Sequence, residues 1–330
     1  MSGDVGDDIV VPAASGGTRL RWSALPSSLR TAVESASGSR VVAERSASGG
    51  FSPGLASRLT LASGRRIFVK AMGEACLPNG PQILRREACV LSALAGSAPV
   101  PRLEHMVESD DWVALVLEDV QGSSPRQPWD HAELGQVLSA MAALAATLTP
   151  APIAAPAAAE HWQDEFTGWR QLAASDRAAV TELSPWAGDH VDELARWETS
   201  WTDAAHGQTL LHGDLRADNM LLTADGVVFV DWPWACVGAP WVDLVLMLPS
   251  VAMQGGGDPE AIVTSHPLTQ TIEPDAITSV LAAVTGFFVF GSLQPPPPGI
   301  PLLRGFQRAQ GLVALNWLRQ RLGQADLARN

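Results

Sequence analysis

The sequence predicts an α+β chain in two lobes, a small antiparallel sheet followed by a mostly helical part, and three observations carry that expectation. Its 330 residues are 46% apolar and only 17% charged, more core material than one compact domain usually holds. Period-two patterns separated by turns fill much of the stretch from residue 40 to residue 71. Beyond residue 131 the patterns are helical, interrupted by Pro-rich connections and one hairpin near residue 225. The expected division is an unstructured start over 1–20, a first lobe over 21–121 and a helical second lobe over 122–330.

The opening MSGDVGDDIV is acidic and lacks the basic and apolar regions of an export signal, so it reads as an unstructured start in a cytoplasmic chain. Arg40 to Arg45 reads as a strand and leads into a loop, Ser46 to Gly54, whose glycines let backbone approach a ligand closely. Leu55, Leu59 and Leu61 share one side of the next strand. Ala62-Ser63-Gly64 turns, and Arg66 to Ala71 returns as the second arm of a hairpin bearing Lys70. From Ile83 to Ala95 the spacing is helical and sets Glu87 in the apolar face, where a carboxylate needs a partner. Lys70 on the preceding strand is the natural one. It is also the only lysine beside 21 arginines, which marks a place where a compact point charge fits and a planar guanidinium does not.

Residues 131–148 read as a helix. Thr149 to Ala159 is a Pro/Ala-rich link to further helix from Glu160. Ala276 to Leu293 is free of charge, but its Thr, Ser and Gly content and the lack of basic flanks favour a buried helix over a membrane span. Pro295 to Pro298 reads as an extended spacer before a last helix over Leu303 to Leu322.

Several classes of function drop out. A formal charge of -13 without any Lys/Arg run disfavours a nucleic-acid surface. Cys76, Cys89 and Cys236 are too few and scattered for a disulfide framework or a structural metal. Gly50-Phe51-Ser52-Pro53-Gly54 fits the serine-hydrolase pattern, yet Pro53 has no N–H for an oxyanion hole, and a strand follows instead of a helix. No P-loop pattern is present.

The densest signal is Leu211-His212-Gly213-Asp214-Leu215-Arg216-Ala217-Asp218-Asn219, followed by apolar runs flanking Thr223-Ala224-Asp225-Gly226 and then by Asp231. A four-residue loop over 223–226 sets 222 opposite 227 and 219 opposite 230, which brings Asn219 diagonally beside Asp231. An amide oxygen and a carboxylate at that separation suit Mg²⁺. Asp214, five residues before Asn219, lies where an acceptor can reach a substrate hydroxyl.

With the lysine strand, the helix glutamate, the H-G-D-x-x-x-x-N loop and the later aspartate, residues 40 to 245 resemble the aminoglycoside phosphotransferase/choline kinase-like family, small-molecule kinases of the protein-kinase fold. The resemblance implies an ATP- and Mg²⁺-dependent transfer of phosphate to a hydroxyl of a small molecule: a sugar, nucleoside, amino alcohol or antibiotic. Antibiotic resistance comes with it as one role. It gives Lys70 the α- and β-phosphates with Glu87 as its partner, and Ser52 of the glycine-rich loop a place beside the nucleotide. Leu115 to Gly122 resembles the family's strand-to-hinge segment, so the Glu118 carbonyl and Val120 amide would meet the adenine edge. Asp214 becomes the catalytic acceptor, Arg216 a contact to the γ-phosphate, Asn219 and Asp231 the metal ligands, and Asp243 a brace for the catalytic loop. The alternative is a nucleotide-binding regulator without turnover, against which the intact set of residues argues. A protein kinase is disfavoured because Asp231 precedes Trp232-Pro233 instead of Phe-Gly. The expected partner is a small molecule, with no nucleic acid or membrane, and the expected state a monomer or weak dimer.

Overall fold

The computed structural model describes residues 19–329 except 48, 52 and 298, with side chains as far as Gly323. The start at 1–18, Ser52 and Pro298 of the expected spacer lie outside the described residues. Five strands, β1 (Val41–Ser46), β2 (Leu55–Leu61), β3 (Arg66–Gly73), β4 (Leu103–Ser109) and β5 (Trp112–Glu118), form an antiparallel sheet in the order β1-β2-β3-β5-β4. Alternation decides what each face does. Ile67, Val69 and Ala71 of β3 point with Leu55, Leu59 and Leu61 toward helix α1 (Ser27–Ser37). Phe68, Lys70 and Met72, between them, face the other way. There Met72, Val113, Leu115 and Leu117 pack on Leu84, Ala88 and Leu91 of α2 (Gly80–Leu94). Pro81 suits the first turn of α2, so the helix begins at Gly80, three residues ahead of the expected Ile83.

Beyond Glu118 the chain crosses to the helical lobe. Ser123 and Leu222 exchange backbone hydrogen bonds at 3.1 and 2.8 Å, fastening the crossing to the later hairpin. A Cβ on Gly122 would come 2.7 Å from the Leu222 carbonyl, so glycine lets the two chains meet. The helices are α3 (His131–Thr147), α4 (Ala158–His161), α5 (Gly168–Ser175), α6 (Arg177–Leu183), α7 (Pro185–Thr199) and α8 (Trp201–Ala204). After residue 241 come α9 (Val242–Met253), α10 (Pro259–Ser265), α11 (Pro274–Ser292) and α12 (Leu303–Arg329). Asp130 caps α3 by accepting from Ala132 N and Glu133 N. The apolar α11 is long enough to cross a membrane, but most of it is buried against α5, α7, α9 and α12. The last helix runs further than the expected Leu322, to Arg329.

Two short strand pairs sit between α8 and α9: β6 (Thr209–Leu211) with β9 (Cys236–Gly238), and the hairpin β7 (Met220–Thr223) with β8 (Gly226–Phe229). The hairpin register is the expected one, with Leu222 opposite Val227 and Met220 opposite Phe229. Its loop is shorter than the expected four residues. Thr223 pairs with Gly226, because Thr223 Oγ1 accepts from Asp225 N at 3.1 Å and donates to Gly226 O at 2.9 Å, closing a two-residue turn.

Candidate active site

Sheet, hinge and hairpin enclose a cavity of about 790 Å³ between the lobes. Lys70, Glu87, Glu118, Val120, Asn219 and Asp231 all line it, so the structure brings together six of the residues singled out from sequence. Lys70 Nζ donates to Glu87 Oε1 at 2.6 Å and to Asp231 Oδ1 at 2.7 Å. One cation thus joins the sheet, α2 and the segment after the hairpin. Burial opposes the lysine's charge, but Asp231 and Glu87 outweigh it and hold its pKa above the usual value. Glu87 is 1% exposed, and burial keeps it above the ordinary carboxylate range despite Lys70. Asp231, burial notwithstanding, is held low by Lys70. It also has φ 71°, a left-handed conformation uncommon outside glycine and held here by its surroundings.

The loop after β6 is braced from two sides. Asp243, in the first turn of α9, accepts from His212 N at 2.7 Å and Gly213 N at 3.0 Å. Burial still pushes its pKa up to about 6. His212, fully buried, donates from Nε2 to Val230 O at 2.9 Å and accepts at Nδ1 from Asp214 N at 3.3 Å, which fixes a neutral ring. Burial lowers its pKa to about 4. Gly213, at φ 82°, passes so close to Trp234 that a Cβ would meet its carbonyl at 2.4 Å. Sequence reading assigned His212 no role, and the Asp214 N–H beside its ring is visible only once the loop is folded.

Asp214 sits at the end of this brace. Burial pushes its pKa up to about 6, against the pull of Arg216, with Asp218 and Asp231 adding to the rise. Arg216 donates to Asp214 Oδ1 and, through Nε and Nη2, to both oxygens of Asp218 at 3.1 and 3.2 Å. The resemblance aimed Arg216 at a phosphate, but its guanidinium is engaged by two carboxylates, which raise its pKa further, and it lies 5.9 Å from the centre of the Phe51 ring. Asn219 Nδ2 donates to Asp214 O at 2.7 Å and Oδ2 at 3.2 Å. That leaves the amide oxygen as the free end of a side chain lining the cavity. With Asp231 Oδ2 it makes a two-oxygen set, which fits Mg²⁺, an ion that leaves its remaining positions to water and phosphate. Among the described residues no group of three or more His, Cys, Asp or Glu gathers to form a closed metal cage.

Of the tryptophans near the loop, Trp232 and Trp241 are core residues, and Trp234 alone is 37% exposed. Trp232 Nε1 donates to Phe229 O at 2.9 Å.

The profile of the phosphotransferase enzyme family (APH) matches residues 60–265. No curated protein matches the chain. Among solved structures, a thermostable mutant of aminoglycoside phosphotransferase APH(4)-Ia with AMP-PNP and hygromycin B is 16% identical with a TM-score of 0.58, over 89% of this chain and 98% of that one. The amicoumacin kinase hAmiN, with AMP-PNP, Ca²⁺ and Ami, is 12% identical with a TM-score of 0.50, over 79% of this chain and 85% of that one. At such identities the likeness is one of fold, a sheet lobe and a helical lobe around a cleft. The family profile spans more than half of the sequence, including the lysine strand, the loop of His212 to Asn219 and Asp231, and the chain belongs to the phosphotransferase enzyme family.

Proposed function

We propose that this phosphotransferase moves the γ-phosphoryl group of ATP, with Mg²⁺, onto a hydroxyl of a neutral or singly charged small molecule. The observation that carries the reading is Asp214. It is a carboxylate with a pKa of about 6, hydrogen-bonded to Asn219, which lines the cleft together with Lys70, Glu87 and Asp231. A base poised near neutrality is what proton removal from an alcohol requires.

Asp214 orients the acceptor hydroxyl and takes its proton while the hydroxyl oxygen bonds to the γ-phosphorus. The bond from that phosphorus to the β,γ-bridging oxygen breaks, ADP leaves with the electron pair, and the proton passes from Asp214 to solvent. Lys70, fixed by Glu87, offers its ammonium to the α- and β-phosphates. Asn219 and Asp231 would hold Mg²⁺, which when bound would neutralise charge on the phosphate oxygens. Arg216, tied to Asp214 and Asp218, keeps positive charge beside the developing negative centre. The Glu118 carbonyl and Val120 amide, at the cavity wall where the sheet ends, meet the adenine edge.

ADP release across a library of hydroxyl compounds, with ³¹P NMR of the products and Asp214→Asn as the control, tests this reading. A new phosphomonoester formed by the wild type and not by the variant supports it. Nucleotide binding without ADP release on any acceptor overturns it in favour of a regulator that binds nucleotide and does not turn over.

A further inference from the structure

Arg19 lies upstream of the segment the family profile matches, yet it reaches into the cleft. Leu20 N donates to Gly54 O at 2.9 Å, which fastens this part of the chain to the far end of the glycine-rich loop. The Arg19 side chain runs to the near end, where Nη2 donates to Gly49 O at 2.7 Å. Between the two anchors Gly50 has φ 86°, and a Cβ there would come 2.8 Å from Arg19 Nη2. The guanidinium therefore lies closely against the loop backbone, and it lines the same cavity as Lys70, Asp218, Asn219 and Asp231.

Charge gives that position a consequence. Beside Lys70 and Arg216 stand four carboxylates, Glu87, Asp214, Asp218 and Asp231, two more negative charges than positive ones. A Mg²⁺ on Asp231 and Asn219 would do no more than cancel that excess, so a polyphosphate entering this end of the cleft gains from a further cation that has no acidic partner of its own. Lys70 and Arg216 are each held by two of those acids. Arg19 forms no ion pair among the described residues, although Asp231 and Asp218 act on it at longer range. One carbonyl takes only part of a guanidinium that carries five N–H donors in a planar fork suited to phosphate oxygens.

We infer that Arg19 is a phosphate-binding residue of the cleft, donating to the β- and γ-phosphate oxygens of the nucleotide while it ties the glycine-rich loop down through Gly49. The inference rests on the nucleotide reading above and goes beyond it by giving an arm outside the family motif a share of the phosphate contact.

Calorimetric binding of ATP, ADP, AMP and adenosine to the wild type, Arg19→Ala, Arg19→Gln and Arg19→Lys tests it. Arg19→Ala and Arg19→Gln are expected to weaken ATP by about tenfold to a hundredfold and to leave AMP and adenosine within about twofold, as loss of a charge-assisted phosphate contact implies. Arg19→Lys should recover part of the loss. Glutamine can keep a hydrogen bond to Gly49 without the charge, so it serves if the alanine variant folds poorly. Equal weakening of all four ligands overturns the inference in favour of a loop anchor. Unchanged ATP affinity makes Arg19 a bystander, and tighter ATP binding makes it a plug of the empty cleft; either also overturns it. A wild type that binds no ATP defeats the nucleotide reading itself, a result distinct from all of these.

Discussion

Asp214 is held in a costly state, because burial penalises the charge that its proposed role requires. Its pKa of about 6 lies above the ordinary value of 3.8, so the folded protein binds more protons than the unfolded chain between those limits. Its contribution to stability is therefore greatest below pH 4 and is lost as pH rises through 6. Asp214→Asn should raise stability by about 1–2 kcal/mol at pH 7.5, less than the full two-unit shift because the side chain is 30% exposed. The gain should vanish at pH 4, which denaturant unfolding at the two pH values checks. For the same reason kcat/KM should rise with pH to a plateau with a midpoint near 6. Asp243 also stands at about 6, so Asp243→Asn is the control and must keep that limb. Lys70→Arg should remove most turnover although charge is kept, since a guanidinium cannot hold one point 2.6 Å from Glu87 and 2.7 Å from Asp231. Near-normal rates in that variant would refute the assignment. Lys70 and Glu87 were legible in the sequence because one is unique and the other breaks an apolar stripe. His212, Asp218 and Arg19 were not, because what each does depends on partners that only the folded chain supplies.

The elements that position these residues differ in how plainly the chain announces them. The β2–β3 hairpin and α2 were readable from their periodicity, and α11 from its long charge-free stretch. Helix α1 and strand β4 were not: α1 buries only Leu29 and Val33, and β4 is an edge strand with mixed burial and an irregular register between Leu103 and His105. Helix α9 does more than fill the core, since Asp243 in its first turn ties the loop of His212 and Gly213. Asp243→Ala strands two inward-facing N–H groups, and an equilibrium unfolding curve should show a loss of about 2–5 kcal/mol together with collapsed turnover. The glycine-rich loop is tied down as well. Phe51 packs on Phe306 of α12 at a centroid distance of 5.2 Å, within a small cluster that includes Met253 and Ala309. That contact joins the two lobes over Arg216. Phe51→Ala and Phe306→Ala should each raise the KM for ATP, and in a double-mutant cycle on nucleotide affinity their effects should couple by about 0.5–1.5 kcal/mol. Additive effects would show that the loop does not close on α12.

Charge over the entire chain bears on the acceptor. The formal charge of -13 invites the idea of a site for polycations, and ten of the acids lie between Thr149 and Ala205. Eight of the ten are exposed, Glu193 is half-buried, and Glu198 is buried, holding Trp169 N, Arg170 N and the Arg170 side chain. None lines the cavity between the lobes, whose described walls carry five acids and five basic side chains, Arg19, Arg45, Arg58, Arg66 and Lys70. The acidic helices are thus mainly a solvated face, so most of their charge meets water and not a bound substrate with several ammonium groups. Steady-state kinetics on acceptors graded by amine number should then show kcat/KM highest for neutral or singly charged alcohols, with a shallow dependence on salt. A specificity constant that climbs with each added amine and collapses at high ionic strength would show instead that the carboxylates of α4 to α8 line the acceptor site.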